Sequence, residues 1–149
     1  MRLVIFSLAA ALTAATPAMA DEARVEARGG IVFASGESEG VLGVAAGYDW
    51  DLGETTFVGV EGSADKILVD GSDVFFGATA RIGAKVGTRG KLYGLAGYTF
   101  GEGEDAPHAG VGYEHLLGNN AYAKVEYRHY FVDDFTDLNS AVVGVGVRF

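Results

Sequence analysis

From Ala23 to the C-terminus, side chains alternate along the chain: a large apolar residue is followed by glycine, alanine or a charged residue. Successive side chains point to opposite faces of a β-strand, so this period of two predicts strands rather than helices. The 23 glycines among 149 residues favour the same interpretation, because each interior glycine costs a helix about 1 kcal/mol. The chain is therefore expected to be all-β.

Eight segments carry the alternation. They are Ala23–Ala34, Val41–Trp50, Thr56–Ala64, Phe75–Val86, Lys91–Phe100, Ala109–Leu117, Ala121–Tyr130 and Leu138–Phe149. The fifth segment is apolar on both faces, and we place Leu92, Ala96, Tyr98 and Phe100 on its outer face. Eight strands of about ten residues each leave only short connections. The segments predict an eight-stranded antiparallel up-and-down transmembrane β-barrel.

The first 20 residues have the features of a signal peptide. Arg2 is followed by the apolar stretch Leu3–Leu12, and Ala18-Met19-Ala20 forms a small-x-small cleavage site before Asp21. The alternative, a transmembrane anchor, is disfavoured because the apolar stretch is far shorter than the ~20 residues that span a bilayer. We expect a signal peptide over residues 1–20 and a single barrel domain over residues 21–149.

The predicted connections are of two kinds. Those at 51–54, 88–90 and 118–120 are short turns, and those around 35–40, 65–73, 101–108 and 132–137 are longer. The longer connections hold eleven acidic residues, opposed only by Lys66: Glu37, Glu39, Asp65, Asp70, Asp73, Glu102, Glu104, Asp105, Asp133, Asp134 and Asp137. Short turns at one end and longer loops at the other are typical of outer-membrane barrels.

Charge and aromatic patterns indicate which face is inside. Seven of the ten basic residues after residue 20 share the glycine-rich face: Arg24, Arg28, Arg81, Lys85, Lys124, Arg128 and Arg148. Lys66, Arg89 and Lys91 fall in or beside connections, so the apolar face is free of cations. A narrow eight-stranded lumen needs small residues beside long ones, and a cation at the middle of the lipid face would cost about 2–4 kcal/mol. A soluble barrel with its apolar face inward is the less suitable alternative.

Aromatic residues concentrate at the ends of the predicted strands. We place Trp50, Phe57 and Tyr122 near the short turns, and Phe33, Phe76, Phe100 and Phe131 near the loops. Two such groups predict the aromatic girdles of a membrane protein. The alternative for any one of them is ordinary core filling.

The chain resembles the small outer-membrane β-barrel family, which includes the porin-family and opacity-type proteins. The resemblance covers residues 21–149 and rests on these segments: Phe57-Val58-Gly59-Val60-Glu61, Thr79-Ala80-Arg81-Ile82-Gly83, Gly112-Tyr113-Glu114, Lys124-Val125-Glu126-Tyr127-Arg128 and Val145-Gly146-Val147-Arg148-Phe149. It implies that Glu61, Arg81, Glu114 and Lys124 form a buried quartet of carboxylates and cations, and that Phe149 is a signal for the barrel-assembly machinery. Leu95 stands where the family's type member has a lumen arginine.

These residues predict an ion-pair network in the lumen, because ions enclosed in a narrow barrel must be paired. The expected members are Glu61, Arg81, Glu114, Lys124, Glu126, Arg128 and Arg148. One interpretation is a polar core that fills the barrel, and the other is a gate whose pairs exchange partners to open an ion path. A three-residue turn at 118–120 would place Glu114 directly opposite Lys124, within salt-bridge distance and with Arg81 close enough to compete.

Other kinds of site are poorly supported. The chain has no cysteine, and its net charge of −9 argues against a nucleic-acid partner. No cofactor or metal is expected, since Gly110-x-Gly112 precedes no helix and three scattered histidines form no ligand cluster. His129 and Ser140 would suggest a lipid A deacylase only if they met an acid on the outer surface.

We therefore expect a monomeric, non-enzymatic barrel of a Gram-negative outer membrane. Its expected role is structural support and surface interaction, and its expected partners are outer-membrane lipid, lipopolysaccharide and the barrel-assembly machinery. A narrow gated ion channel is the first alternative, and a lipid A-modifying enzyme is the second. Divalent cations bridging the loop carboxylates to lipopolysaccharide are a further hypothesis.

Overall fold

The alternating segments form eight antiparallel strands that close into one barrel in the computed structural model, which describes residues 21–101, 105–133 and 137–149. The strands are β1 (Glu22–Ala34), β2 (Glu37–Asp51), β3 (Thr56–Ile67), β4 (Val74–Val86), β5 (Gly90–Phe100), β6 (Ala106–Leu116), β7 (Ala121–Tyr130) and β8 (Leu138–Arg148). Each strand pairs with the next, and β8 pairs with β1, so no strand edge is left unpaired. The prediction of an eight-stranded up-and-down barrel is confirmed.

The two faces of the wall differ as the alternation predicts. Outward positions hold exposed apolar side chains such as Val44, Ile82 and Val143, which are 58%, 59% and 62% exposed. Inward positions hold glycine, buried charged residues, and a smaller set of buried aromatic, apolar and uncharged polar residues. In the part of the chain that the structure describes, no helix is long and apolar enough to cross a membrane. The predicted signal peptide lies outside the described residues.

The first predicted loop is wrong in length. Strands β1 and β2 extend until only Ser35 and Gly36 separate them, and both residues have positive φ angles, 48° and 88°. Two consecutive positive φ values are typical of a type I′ turn, which matches the twist of a hairpin. Glu37 and Glu39, predicted in this loop, therefore belong to β2. Glu102, Glu104 and Asp134 of the other predicted loops lie outside the described residues.

The register of β6 and β7 follows from the turn between them. The amide of Leu117 donates a hydrogen bond of 2.9 Å to the carbonyl of Ala121, which leaves the three-residue turn at 118–120. Glu114 is directly opposite Lys124, as predicted, and both side chains point into the barrel. A register one residue away would have turned one partner of each pair toward the outside.

Candidate functional site: the ion-paired lumen

Among the residues that the structure describes, eight basic and eight acidic side chains face the lumen. The basic residues are Arg24, Arg28, Arg81, Lys85, Lys91, Lys124, Arg128 and Arg148, and the acidic residues are Glu22, Glu26, Asp49, Asp51, Glu61, Asp65, Glu114 and Glu126. Formal charges therefore balance inside the barrel. Such a balance is expected because an unpaired ion in a space with little water carries a desolvation cost of several kcal/mol.

Glu61 of β3 is the centre of the larger cluster. Its carboxylate accepts hydrogen bonds from Arg24 Nη1 at 2.8 Å and Arg28 Nη1 at 2.9 Å. Lys124 Nζ and Arg128 Nη2 donate to it at 3.2 Å and 3.1 Å. Four cations from β1 and β7 thus converge on a single carboxylate that is 5% exposed.

Two further carboxylates complete this cluster. Lys124 Nζ lies 2.5 Å from Glu26 Oε1 and 2.8 Å from Glu126 Oε1, and Arg128 binds the other oxygen of Glu126 at 2.6 Å. Tyrosine hydroxyls supply the remaining donors, from Tyr93 to Glu126 at 2.8 Å and from Tyr122 to Glu26 at 2.7 Å. Glu126 is thereby bound from β5 and β7, and Glu26 is bound from β7.

A second cluster lies nearer the short turns and is centred on Arg81 of β4. Arg81 binds Asp49 through Nε and Nη2 and binds Glu114 through Nη1 at 3.0 Å. Its guanidinium also lies over the Tyr93 ring, 4.7 Å from the centroid. Lys91 Nζ approaches Asp49 at 3.2 Å and Glu114 at 3.9 Å. Both carboxylates are thereby neutralised within the lumen.

The predicted salt bridge between Glu114 and Lys124 does not form, although the two residues are direct neighbours across β6 and β7. Lys124 instead reaches Glu26, Glu61 and Glu126. Glu114 is bound by Arg81, the residue expected only to compete for it. Lys124 therefore belongs to the cluster around Glu61, and Glu114 belongs to the cluster around Arg81.

The remaining pairs lie at the ends of the lumen. Arg148 binds Glu22 at 2.5 Å at the turn end, where its side chain is 24% exposed. Lys85 binds Asp51 at 2.5 Å near the same end. At the other end Arg28 binds Asp65 through two nitrogens. Arg148 is therefore a rim residue rather than a member of the central clusters.

Several charged residues of the network were not among its expected members, including Glu26, Asp49, Asp65 and Lys91. Asp49 is the main acceptor for Arg81, yet it was not among the expected network residues. Asp65 was assigned to a connection and Lys91 to the start of a strand beside one, but both point into the lumen and are 5% and 7% exposed. Their spacing along the strands indicates an inward position, since Asp65 is four residues after Glu61 and Lys91 is two residues before the inward Tyr93. Residues an even number of positions apart share one face of a strand.

Two aromatic residues are also placed differently from the prediction. Phe57 and Tyr122, predicted in the girdle near the short turns, are fully buried inside the barrel. Phe57 packs with Tyr93 and Leu95, while Trp50, Phe76, Phe100 and Phe131 are 40–58% exposed on the outside. The inward aromatic residues fill space beside the ion pairs.

The loop end of the lumen is closed by apolar residues. Val32, Val41 and Val142 are 6–7% exposed and pack together with Phe75 and Leu138. A cavity of about 10 Å³ lies beneath them, lined by polar groups that include Arg28, Asp65 and Tyr130. That volume corresponds to about one water molecule.

The histidines do not form the arrangement that would suggest catalysis. His129 contacts Asn139 at 2.8 Å and Asp137 at 3.4 Å near the loop end, whereas Ser140 points into the lumen and is 1% exposed. His108 is held inside the barrel by the hydroxyls of Thr79 and Thr99, each at 3.0 Å. Within the described ranges, no group of three His, Asp or Glu side chains is placed to hold a metal ion.

A closed eight-stranded barrel with ions inside and apolar side chains outside is the architecture of small membrane barrels. The sequence model for the outer membrane protein beta-barrel domain matches residues 5–149 of the chain. The chain belongs to this family, as its resemblance indicated.

Solved structures show the same fold. The chain is similar to the N-terminal barrel domain of Pseudomonas aeruginosa OprF, with a TM-score of 0.63, 16% identity, and coverage of 86% of this chain and 97% of that one. It is also similar to Ail, the attachment invasion locus protein of Yersinia pestis, with a TM-score of 0.64, 17% identity, and coverage of 87% and 97%. The outer membrane enzyme PagL matches with a TM-score of 0.54, 13% identity, and coverage of 83% and 98%. A search among curated proteins finds no match.

Proposed function

We propose that the protein is a non-enzymatic, monomeric barrel of the Gram-negative outer membrane that supports the envelope and interacts with partners through its acidic loop end. Residues 1–20 are its export signal, and Phe149 is its signal to the barrel-assembly machinery. The observation that carries the proposal is the lumen, where eight cations meet eight carboxylates. Because each of these charged groups lies within 4 Å of a group of opposite charge, the barrel interior acts as a polar core.

The filled lumen favours a closed barrel over the channel alternative. Arg24, Glu26 and Lys124 have fully buried side chains, and the valine cluster covers the loop end. An ion crossing the lumen would have to displace several pairs at once and leave buried charges without partners. Opening an ion path would require ion pairs to exchange partners, and the four cationic side chains that donate to the Glu61 carboxylate oppose such an exchange.

Planar-bilayer recordings of the purified barrel test this point. We expect no conductance steps from the parent protein and none from Glu61→Gln, since the remaining pairs still occupy the lumen. Steps in the parent whose size changes in Glu61→Gln would overturn the closed-barrel proposal and favour the channel. A shift in the mass of lipid A on overexpression would favour the enzyme.

The charge outside the lumen supports the surface role. Among the described residues outside the lumen, seven carboxylates lie at the loop end with Lys66 as the one cation: Glu37, Glu39, Asp70, Asp73, Asp105, Asp133 and Asp137. The sequence of the longer connections also contains Glu102, Glu104 and Asp134. Ail has been solved in complex with sucrose octasulfate, a heparin analogue. The loop end of the present chain would repel such a polyanion, and a basic partner suits it better.

Binding measurements on the barrel in nanodiscs test the charge argument. We expect binding to polylysine that weakens as salt is added, and no binding to sucrose octasulfate. Neutralising Glu37, Glu39, Asp70 and Asp73 should weaken polylysine binding several-fold, whereas neutralising Asp21 and Glu54 at the other end should not. Equal effects of the two sets would contradict an interaction through the loop end. Comparing envelope integrity and adhesion in strains with and without the chain tests the biological role.

A further inference from the structure

An apolar groove of about 550 Å³ runs along the outer wall of β2–β5. It exists because small residues face outward there: Ala80 pairs with Ala96, and Ile82 pairs with Gly94. A methyl group added at Gly94 would find its nearest neighbour 3.9 Å away, so the space above this glycine is empty.

The side of the groove toward β2 is formed by larger side chains. Trp50 and Val60, which border the groove, are 40% and 49% exposed. Trp50 lies near the turn at 52–55, and indole rings prefer the boundary between lipid and water. The groove therefore begins at the turn end of the barrel and continues toward the middle of its outer wall.

Two turns with opposite charges lie beyond the groove at the turn end of the barrel, where Glu54 follows Trp50 by four residues and Arg89 precedes Gly94 by five. The turn at 52–55 carries Glu54, and the turn at 87–89 carries Arg89. Neither residue has an ion-pair partner in the part of the chain that the structure describes. The Lys85 amide donates to the Thr55 carbonyl at 2.7 Å, which fixes the first turn against the end of β4. Two charges of opposite sign therefore remain available at the turn end, beyond the apolar groove.

We propose that this groove binds one phospholipid with a zwitterionic phosphoethanolamine headgroup, taken from the leaflet at the turn end; this inference rests on the proposed membrane location. The phosphate binds Arg89, the ammonium group binds Glu54, and one acyl chain lies over Gly94. The groove volume falls within the range of ligand sites, about 300–1,000 Å³. The chain from Arg89 to Ala96 spans about 23 Å along β5. An acyl chain that begins at a headgroup bound to Arg89 can therefore lie along the strand as far as the groove.

Native mass spectrometry tests the acyl-chain contact. The protein lacking residues 1–20 is reconstituted in nanodiscs of equal parts phosphatidylethanolamine and phosphatidylglycerol, and retained lipid is measured. We expect one retained phosphatidylethanolamine and at least a fivefold loss in Ala96→Leu, which fills the groove. Ala123→Leu, an outward substitution on β7, is the matched control and should retain the lipid. Equal retention in both variants would overturn the proposal.

The headgroup contacts are tested with the same measurement. Arg89→Gln should lose retention several-fold, whereas Lys66→Gln at the other end should not, and Glu54→Gln should remove the preference for phosphatidylethanolamine. Equal retention of both lipids by the parent would overturn the proposal. So would a dimer that Ala96→Leu abolishes, because a second copy would then cover the groove. Resistance to added protease reports insertion separately: an inserted barrel without retained lipid refutes this inference alone, and a barrel that does not insert refutes the proposed membrane location.

Discussion

At the scale of single residues, the central feature is a buried carboxylate with several cationic neighbours. Glu61 accepts from four cations, and Lys124 reaches three carboxylates. In such a network each ion is stabilised by groups from other strands, so removing one charge leaves several partners uncompensated. The energetic effect of a substitution therefore depends on the partners left behind more than on any single distance.

Lys124→Met tests this dependence. Methionine approximates the length of the side chain but leaves Glu26, Glu61 and Glu126 with one cation fewer. We expect the free energy of unfolding, measured with urea in lipid vesicles, to fall by about 3–5 kcal/mol. Lys66→Met, at an exposed site, is the control and should change it by about 0.5 kcal/mol or less. Equal stability of the two variants would contradict the network.

Alternation identified the face of each network residue but could not identify its partner. Glu61, Arg81, Glu114 and Lys124 all point inward, as expected. Yet Lys124 contacts Glu26, on a strand that is not its neighbour in the wall. Contacts across the lumen depend on how the barrel closes and on the length of each side chain, and neither is visible in the spacing along one strand.

At the scale of strands and turns, connection length decides which side chains can meet. The 118–120 turn keeps Glu114 and Lys124 on the same face. With the tight Ser35-Gly36 turn, β2 starts at Glu37 rather than at the predicted Val41, whereas β1 ends at Ala34 as predicted. This extension follows from local backbone geometry, since both turn residues adopt the left-handed conformation.

Gly36→Ala tests the turn geometry. Gly36 has a φ of 88° with open space around its missing Cβ, so the expected cost is conformational rather than steric. We expect a loss of about 1–2 kcal/mol in the free energy of unfolding. Gly118→Ala is a suitable control, because Gly118 also has open space and is not among the positive-φ glycines. An equally small effect in both variants would argue against the type I′ turn.

At the scale of the whole molecule, charge is divided between the inside and the ends. Residues 21–149 contain 10 basic and 20 acidic residues, and eight of each face the lumen. The excess negative charge therefore belongs to the two ends, mostly to the loop end. The interior can be neutral while the surface is strongly acidic. The charges that stabilise the barrel are therefore different residues from the charges available to partners.

Phe149→Ser tests whether Phe149 contributes to assembly in the cell without contributing to the stability of the folded barrel. The Phe149 side chain is 62% exposed, and the residue is joined to Ala23 by two backbone hydrogen bonds, which serine preserves. We expect a several-fold lower amount of folded barrel in the outer membrane of cells, with refolding into vesicles in vitro unchanged. Phe131→Ser, at an exposed aromatic residue of the loop end, should leave the cellular amount unchanged. Equal cellular amounts in both variants would contradict an assembly signal at Phe149.

The period of two along the chain, by itself, determined eight strands, the face of each side chain and the enclosure of charge. These are local properties, because a strand turns its side chains alternately whatever its neighbours are. Only the tertiary structure decided that Asp49 binds Arg81 and that Glu114 and Lys124 bind different partners. Barrel closure brings distant strands within reach of one another across a narrow lumen, and competition among buried ions then selects the pairs.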